Sequence, residues 1–299
     1  MSRSPPQPRV QWMGDHAAST DFTIRCLPED VIVPVQKLKF VEGSEIFADM
    51  FACCDAGGEE KNPRSVDLCE SVNDMALLVR LIQDPPQTLS EAAIREGSSE
   101  QSLEHPTAMI PYLLLPRLFA LAEKYALKLP VMQILRTHLL VQACIAPLLV
   151  YGLATQYSLP EIADEASKFL AFTPLETYSL EDIKIIPSAE AYHKLLQLQS
   201  YRKRRIKELL MNEDLFPYGY GACSAHKDYA ELMWDRRRRN ILPNVHSGSD
   251  VARIMSRRLD AKIRTCNVCK KAWIAAREML AFKCRKIARR VTQMDKEGY

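Results

Sequence analysis

Two pairs of metal-ligand residues stand out in the second half of the chain. Cys223 and His226 form a Cys-x-x-His pair, and Cys266 and Cys269 form a Cys-x-x-Cys pair. Together they can supply the three thiolates and one imidazole of a tetrahedral structural zinc site. The Gly-rich connector before Cys223 is typical of a zinc knuckle, although the 39 residues between the pairs exceed the usual spacing. A Cys3His zinc site is therefore one of two interpretations.

The second interpretation treats the thiols of Cys266 and Cys269 as packing residues without a cofactor. A helix is predicted from about Cys266 to Val291. Alternating steps of three and four place one apolar stripe on it: Cys266, Cys269, Trp273, Ala276, Leu280, Cys284, Ile287 and Val291. The spacing alone does not separate a metal ligand from a core thiol.

Charge is distributed unevenly along the chain. From residue 200 onward there are 24 Lys and Arg against 11 Asp and Glu, whereas the first 199 residues carry 16 basic and 26 acidic groups. The runs Tyr201–Lys207 and Arg236–Arg239 could contact phosphates or direct nuclear import. They fit a solvated helical face equally well. With no Arg and aromatic platform visible in the sequence, nucleic-acid binding is not the expected function. A nucleic-acid-associated regulator that uses the basic C-terminal region is the alternative.

Catalytic motifs are missing from the sequence. It contains no G-x-S-x-G, P-loop, G-x-G-x-x-G or H-E-x-x-H pattern. His138 and His193 fall on predicted helices beside apolar residues, where a histidine usually packs or faces solvent. We therefore expect a non-enzymatic protein.

Composition also indicates the compartment. Nine cysteines without a secretory leader favour reduced thiols. No window of 18 uncharged apolar residues exists, so no membrane span is expected. The expected location is the cytoplasm or the nucleus.

Turn and helix-capping signals in the sequence predict both strands and helices. A hairpin is predicted from 21–26 and 31–35, a strand over 65–69, and helices between and after them. Later segments read as helices only. The sequence predicts the α+β class, with a small sheet flanked by helices followed by an all-helical extension. We expect a loose tail over 1–14, a domain over 15–145 with a mobile insertion at 87–110, and an extension over 146–299 that is basic from about 200.

Several blocks of the first domain resemble a BTB/POZ domain. Asp21-Phe22-Thr23-Ile24 opens the hairpin, and Ser44-Glu45-Ile46-Phe47-Ala48-Asp49-Met50-Phe51 matches the family's Ser-x-x-Phe-x-x-Met-Phe stretch. Leu118–Tyr125 is similar to its Leu-x-x-Ala-x-Lys-Tyr helix. The block Ala146–Ala154 resembles the extended BTB proteins abundant in mushroom-forming fungi.

The resemblance implies protein–protein interaction, with homodimerisation and partner recruitment. It places a charged pocket near Asp21 and Lys37, although Gln36 stands where the family usually has His. Phe47, Met50 and Phe51 share one helical face, which indicates core packing and leaves room for a part in the dimer interface.

A cullin-type ubiquitin ligase is a second candidate partner implied by the resemblance. Adaptor members carry an apolar residue two positions before a Glu in the loop that corresponds to Ala52–Lys61. This chain has Gly57-Gly58-Glu59 there, without the apolar residue. The departure argues against a standard cullin contact, although the helices after residue 140 could still supply one.

Overall fold

The computed structural model describes residues 20–56, 65–86, 109–256 and 259–296. The chain divides into two compact units, 1–142 and 143–299. The predicted tail 1–14, the insertion up to residue 108 and the Gly57-Gly58-Glu59 site lie outside the described residues.

A three-stranded sheet forms the start of the first unit. Strand β1 (Phe22–Cys26) lies between β2 (Val31–Val35), its antiparallel partner, and β3 (Ser65–Leu68), its parallel partner. Alternate residues Phe22, Ile24 and Cys26 of β1 are buried. Pro34 sits on β2 at the sheet edge, where its missing N–H costs no ladder hydrogen bond.

Helices complete the first unit. They are α1 (Lys37–Gly43), α2 (Glu45–Ala56), α3 (Val72–Gln83), α4 (Leu115–Lys124) and α5 (Leu129–Val141), with a 3₁₀ turn at Tyr112–Leu114. Ser71 caps α3, because its Oγ accepts the Asp74 N–H.

The aromatic core of the first unit is fixed by Ser44. Its hydroxyl accepts the Phe47 N–H at 3.1 Å and donates to the Tyr125 carbonyl at 2.6 Å. Phe47 stacks on Tyr125 with centroids 4.8 Å apart and meets Phe40 edge to face. The cap at the start of α2 thereby joins two segments 81 positions apart.

Ile110, the last residue of the predicted insertion 87–110, packs inside the first unit. Its side chain is completely buried, and its N–H donates to His138 Nδ1 at 3.4 Å. Gln142 Nε2 donates to its carbonyl. Burial removes this apolar side chain from water, which is favourable. Ile110 therefore belongs to the folded first unit.

The described residues of the second unit form helices and turns, without a strand. The helices are α6 (Pro147–Gln156), α7 (Pro160–Leu170), α8 (Leu180–Ile183), α9 (Ala189–Asn212), α10 (Lys227–Ile241), α11 (Val251–Ser256), α12 (Ala261–Thr265), α13 (Asn267–Arg285) and α14 (Val291–Lys296). Together with the first unit's sheet they confirm the expected α+β class.

Two tryptophans lie at the centre of the C-terminal core. Trp234 on α10 and Trp273 on α13 meet edge to face with centroids 4.9 Å apart. Trp234 Nε1 donates to the Glu213 carbonyl and Trp273 Nε1 to the Met255 carbonyl. Both indole N–H groups are therefore satisfied inside the core, which sets the relative position of α10 and α13.

Candidate functional site

A tight turn presents the first ligand pair, Cys223 and His226. Gly219 and Gly221 adopt positive φ angles of 79° and 71°, which suit glycine in the connector before it. The Cys223 carbonyl accepts the N–H of His226 at 3.3 Å and of Lys227 at 2.9 Å. The chain then enters α10, so both ligands stand at the helix entrance.

The second pair, Cys266 and Cys269, lies at the start of α13. Cys266 is the N-cap residue, and its carbonyl accepts the Lys270 N–H at 2.9 Å. Cys269 lies in the first turn of the helix and is completely buried. A long, regular helix therefore holds these two sulfur atoms.

The structure brings all four predicted ligands together. Cys223 Sγ lies 3.5 Å from His226 Nδ1 and 3.7 Å from Cys266 Sγ, and the four ligand atoms all lie within 4.8 Å of one another. Bond lengths of about 2.3 Å to sulfur and 2.0 Å to nitrogen give tetrahedral edges of roughly 3.8 Å between two sulfur atoms and 3.5 Å between sulfur and nitrogen. The separations of 3.5 Å and 3.7 Å match those edges. The Cys3His group could hold a metal ion.

The pKa values of two thiols are shifted in opposite directions. The backbone amide of Cys269 and the ring of His226 lower the pKa of Cys266 to about 6. Burial, with its neighbours Cys266 and Cys223, raises the pKa of Cys269 to about 12. Without a metal the buried sulfur is therefore held as a thiol, and a bound cation would have to displace its proton.

Packing and ligation coincide at Cys269. Cys269, Trp273, Ala276 and Leu280 are buried along one face of α13, as the apolar stripe predicts. Because the same thiol belongs to the four-ligand cluster, the two interpretations of the sequence do not exclude each other.

The predicted end of this helix is wrong. Helix α13 stops at Arg285, and Val291 begins a separate helix. Arg202 Nη1 donates to the carbonyls of Ile287 and Ala288, which takes up acceptors that a continuing helix would use.

Part of the basic run Tyr201–Lys207 is internal. Arg202 is 3% exposed, donates to Ser247, Ile287 and Ala288 carbonyls, and lies over the Phe172 ring at 4.8 Å. Burial lowers its pKa to about 10. This side chain has a structural role, whereas Lys203 faces solvent.

The run Arg236–Arg239 is divided in the same way. Arg237 donates to the Ile254 carbonyl, and Arg238 donates to the carbonyls of Met211 and Glu213. Arg236 and Arg239 are exposed. Neither basic run is simply a solvated face.

The structure places Asp21 and Lys37 next to each other where β1 begins and β2 ends. Asp21 Oδ1 accepts the Lys37 N–H at 2.8 Å, and Lys37 Nζ lies 5.7 Å from the Phe51 ring centroid. Phe47 and Phe51 are buried in the core, and Met50 is half-buried. Asp21 is exposed and Lys37 half-buried.

The two histidines considered above take ordinary positions. His138 is buried, and His193 is exposed on α9. Burial lowers the pKa of His138, so its ring is neutral near pH 7.

Comparisons of this chain with protein-family models, curated proteins and solved structures each return no match. No helix in the described part of the chain combines the length and apolar character needed to cross a bilayer.

Proposed function

We propose that this protein is a non-enzymatic assembly protein in which a partner-binding first unit is joined to a second unit stabilised by one structural zinc ion. The observation that carries the proposal is the convergence of Cys223, His226, Cys266 and Cys269, with two separations that match tetrahedral edges. Three thiolates and an imidazole favour zinc over the hard cations, which take oxygen ligands.

A closed set of four protein ligands favours a structural role. Catalytic zinc sites keep a position open for water or substrate, whereas four protein side chains fill a tetrahedron. The cluster joins the connector before α10 to the start of α13. It also stabilises α12, whose five residues are too few for a stable isolated helix.

The first unit supports the interaction half of the proposal. Its order of hairpin, two helices, third strand and further helices is the order expected of a BTB/POZ-like domain. Ile32 on β2 and Leu38 on α1 expose 62% and 65% of their surface, and Ile46 on α2 exposes 37%. These apolar side chains suit a surface buried between two copies of the chain.

Metal analysis of the purified full chain tests the zinc half. We expect about one zinc per chain, lost in C223S and in C266S. The matched control is C284S, which alters a half-buried cysteine of the same helix α13 outside the cluster. A chain without zinc, or equal loss in C284S, would contradict this half.

Sedimentation of the same samples tests the assembly half. We expect a dimer that becomes a monomer in L38E/I46E. The control is L129E, which places the same charge on an apolar side chain that is 68% exposed elsewhere in the unit. A monomeric wild-type chain would overturn homodimerisation and leave the zinc result unaffected.

A further inference from the structure

Five cations surround the metal-ligand cluster. We define the cluster-side basic surface as Lys227, Lys262, Arg264, Lys270 and Lys271. All five are exposed, and none forms an ion pair with a described residue. Their charge is therefore available to a partner.

The cluster itself holds these residues near one another. Lys227 follows the ligand His226, Arg264 lies two positions before Cys266, and Lys270 follows Cys269. Adjacent Cα atoms are about 3.8 Å apart, so each of these residues lies within two residue lengths of a ligand. Lys262 Nζ lies 5.2 Å from the Tyr229 ring centroid, which orients it without neutralising its charge.

Acidic residues compensate little of this charge. Asp260 accepts the Tyr229 hydroxyl, and Asp228 is the exposed carboxylate beside Lys227. Elsewhere in the second unit, Lys283 pairs with Glu213, and Arg290 pairs with Asp164 and Glu165. At the cluster, the five cations outnumber the neighbouring carboxylates of Asp228 and Asp260, so the surface carries a net positive charge.

Two tyrosines beside the surface expose almost their whole rings. Tyr218 is 98% exposed and Tyr220 is 79% exposed, on the turn that leads to Cys223. Tyr218 adopts a φ of 54°, a backbone conformation that residues other than glycine rarely take. Aromatic rings without packing partners, next to unpaired cations, are the two components with which proteins bind single strands.

We propose that the cluster-side basic surface, with Tyr218 and Tyr220, binds single-stranded nucleic acid. The cations contact phosphates, and the two rings stack on bases. Stacking on a ring requires a base that is not paired in a duplex, so the tyrosines favour a single strand. The proposal rests on the zinc site proposed above, because the ligands fix the loops that carry the cations.

Fluorescence anisotropy of the full chain with labelled rU20 and dT20 tests this proposal, and comparing the two probes distinguishes RNA from DNA. Affinity should fall as salt rises. K270Q/K271Q should weaken binding about tenfold and reduce the slope of log K against log salt by about 1.4, since each single-strand phosphate contact contributes about 0.7. The matched control R285Q/K286Q removes the same charge at the other end of α13, about 22 Å away, and should leave affinity within about twofold.

Tyrosine variants test the stacking step separately. Y218S/Y220S should weaken binding roughly tenfold or more, whereas Y218F/Y220F should retain it, because the ring and not the hydroxyl stacks. A duplex of the same length should bind more weakly than the single strands. Equal binding of the duplex together with no effect of the serine variants would overturn the single-strand assignment.

Zinc content measured on the same samples separates the two proposals. The binding assay is run at about 50 mM salt, roughly the low end of the range that favours phosphate contacts. A zinc-loaded chain that binds neither probe under these conditions overturns the proposed nucleic-acid surface and leaves the metal site unaffected. A chain without zinc overturns the metal site. Equal losses of affinity in K270Q/K271Q and R285Q/K286Q would show that binding depends only on net charge. That result would overturn the cluster-side basic surface as the binding site.

Discussion

The sulfur atoms of Cys223 and Cys266 lie 3.7 Å apart although 43 positions separate them in the sequence. This distance is the edge of a tetrahedron of thiolates and is far longer than a disulfide bond of about 2.05 Å. A cation bound here would link the connector before α10 to the start of α13. Since such a site does not exist in the unfolded chain, binding free energy becomes folding free energy.

Removing the metal should destabilise the C-terminal core. We expect chelation to lower the free energy of unfolding of the second unit by about 3 kcal/mol or more. Trp234 and Trp273 pack beside Cys269, so tryptophan fluorescence in a urea titration should report the loss. Returning Zn²⁺ should restore the transition, and C284S should behave as the wild type. Unchanged unfolding after complete removal of zinc would contradict a structural role.

In the chelated chain, Cys266 should react with alkylating reagents faster than Cys269. The pKa of Cys266 is lowered to about 6, so its thiolate predominates at pH 7.5, whereas Cys269 has a pKa of about 12. Iodoacetamide labelling followed by peptide mass spectrometry measures both rates. The Cys266 rate should fall as the pH falls through about 6, and Zn²⁺ should protect both residues. Equal labelling of the two thiols would show that the asymmetry is absent.

The spacing of the two ligand pairs was enough to predict the cluster, but not to decide its nature. Cys269 fits both the apolar helical stripe and the metal-ligand pattern. Its spacing alone therefore cannot distinguish a packing thiol from a metal ligand. The contact between the two pairs depends on the tertiary fold, because α10, α11 and α12 lie between them in the sequence. These helices must pack before Cys223 can meet Cys266.

Two features escaped the sequence for physical reasons. Arg202 lies in a run of basic residues, and its carbonyl partners are 45 to 86 positions away, so its burial is a long-range property. The exposure of Tyr218 and Tyr220 could not be predicted either, because aromatic residues in a Gly-rich connector are as often packed as exposed. By contrast, the hairpin and the Ser44 cap depend on local signals, which the sequence contains.

Asp74 and Arg117 should make the stability of the first unit depend on pH. The Asp74 carboxylate accepts hydrogen bonds from Ser71 and Arg117, and the Arg117 bond is the main cause that lowers the pKa of Asp74 below its usual 3.8. The unfolded chain then binds the proton more readily, so this stabilisation is present above about pH 4 and is lost as the pH falls below it.

Unfolding of D74N should measure this contribution. We expect a loss of about 1–2 kcal/mol at pH 7, kept small because half of the Arg117 side chain is exposed to solvent. The difference from the wild type should shrink towards pH 3. D49N, an exposed carboxylate of α2, is the control and should change stability little at either pH. A D74N penalty that persists unchanged at pH 3 would show that charge is not its cause.

Arg202 should be among the most costly residues of α9 to replace. Its guanidinium is buried and donates to the carbonyls of Ser247, Ile287 and Ala288, the first at 3.2 Å and the last at 2.7 Å. R202M removes the charge but leaves these buried acceptors without donors, so we expect a loss of about 3 kcal/mol in urea unfolding. R202K should recover only part of it, since one ammonium cannot reproduce the planar fork. K203M, at the exposed neighbour on the same helix, should change stability by less than about 0.5 kcal/mol. If R202M and K203M unfold at the same urea concentration, Arg202 does not hold the C-terminal segment in place.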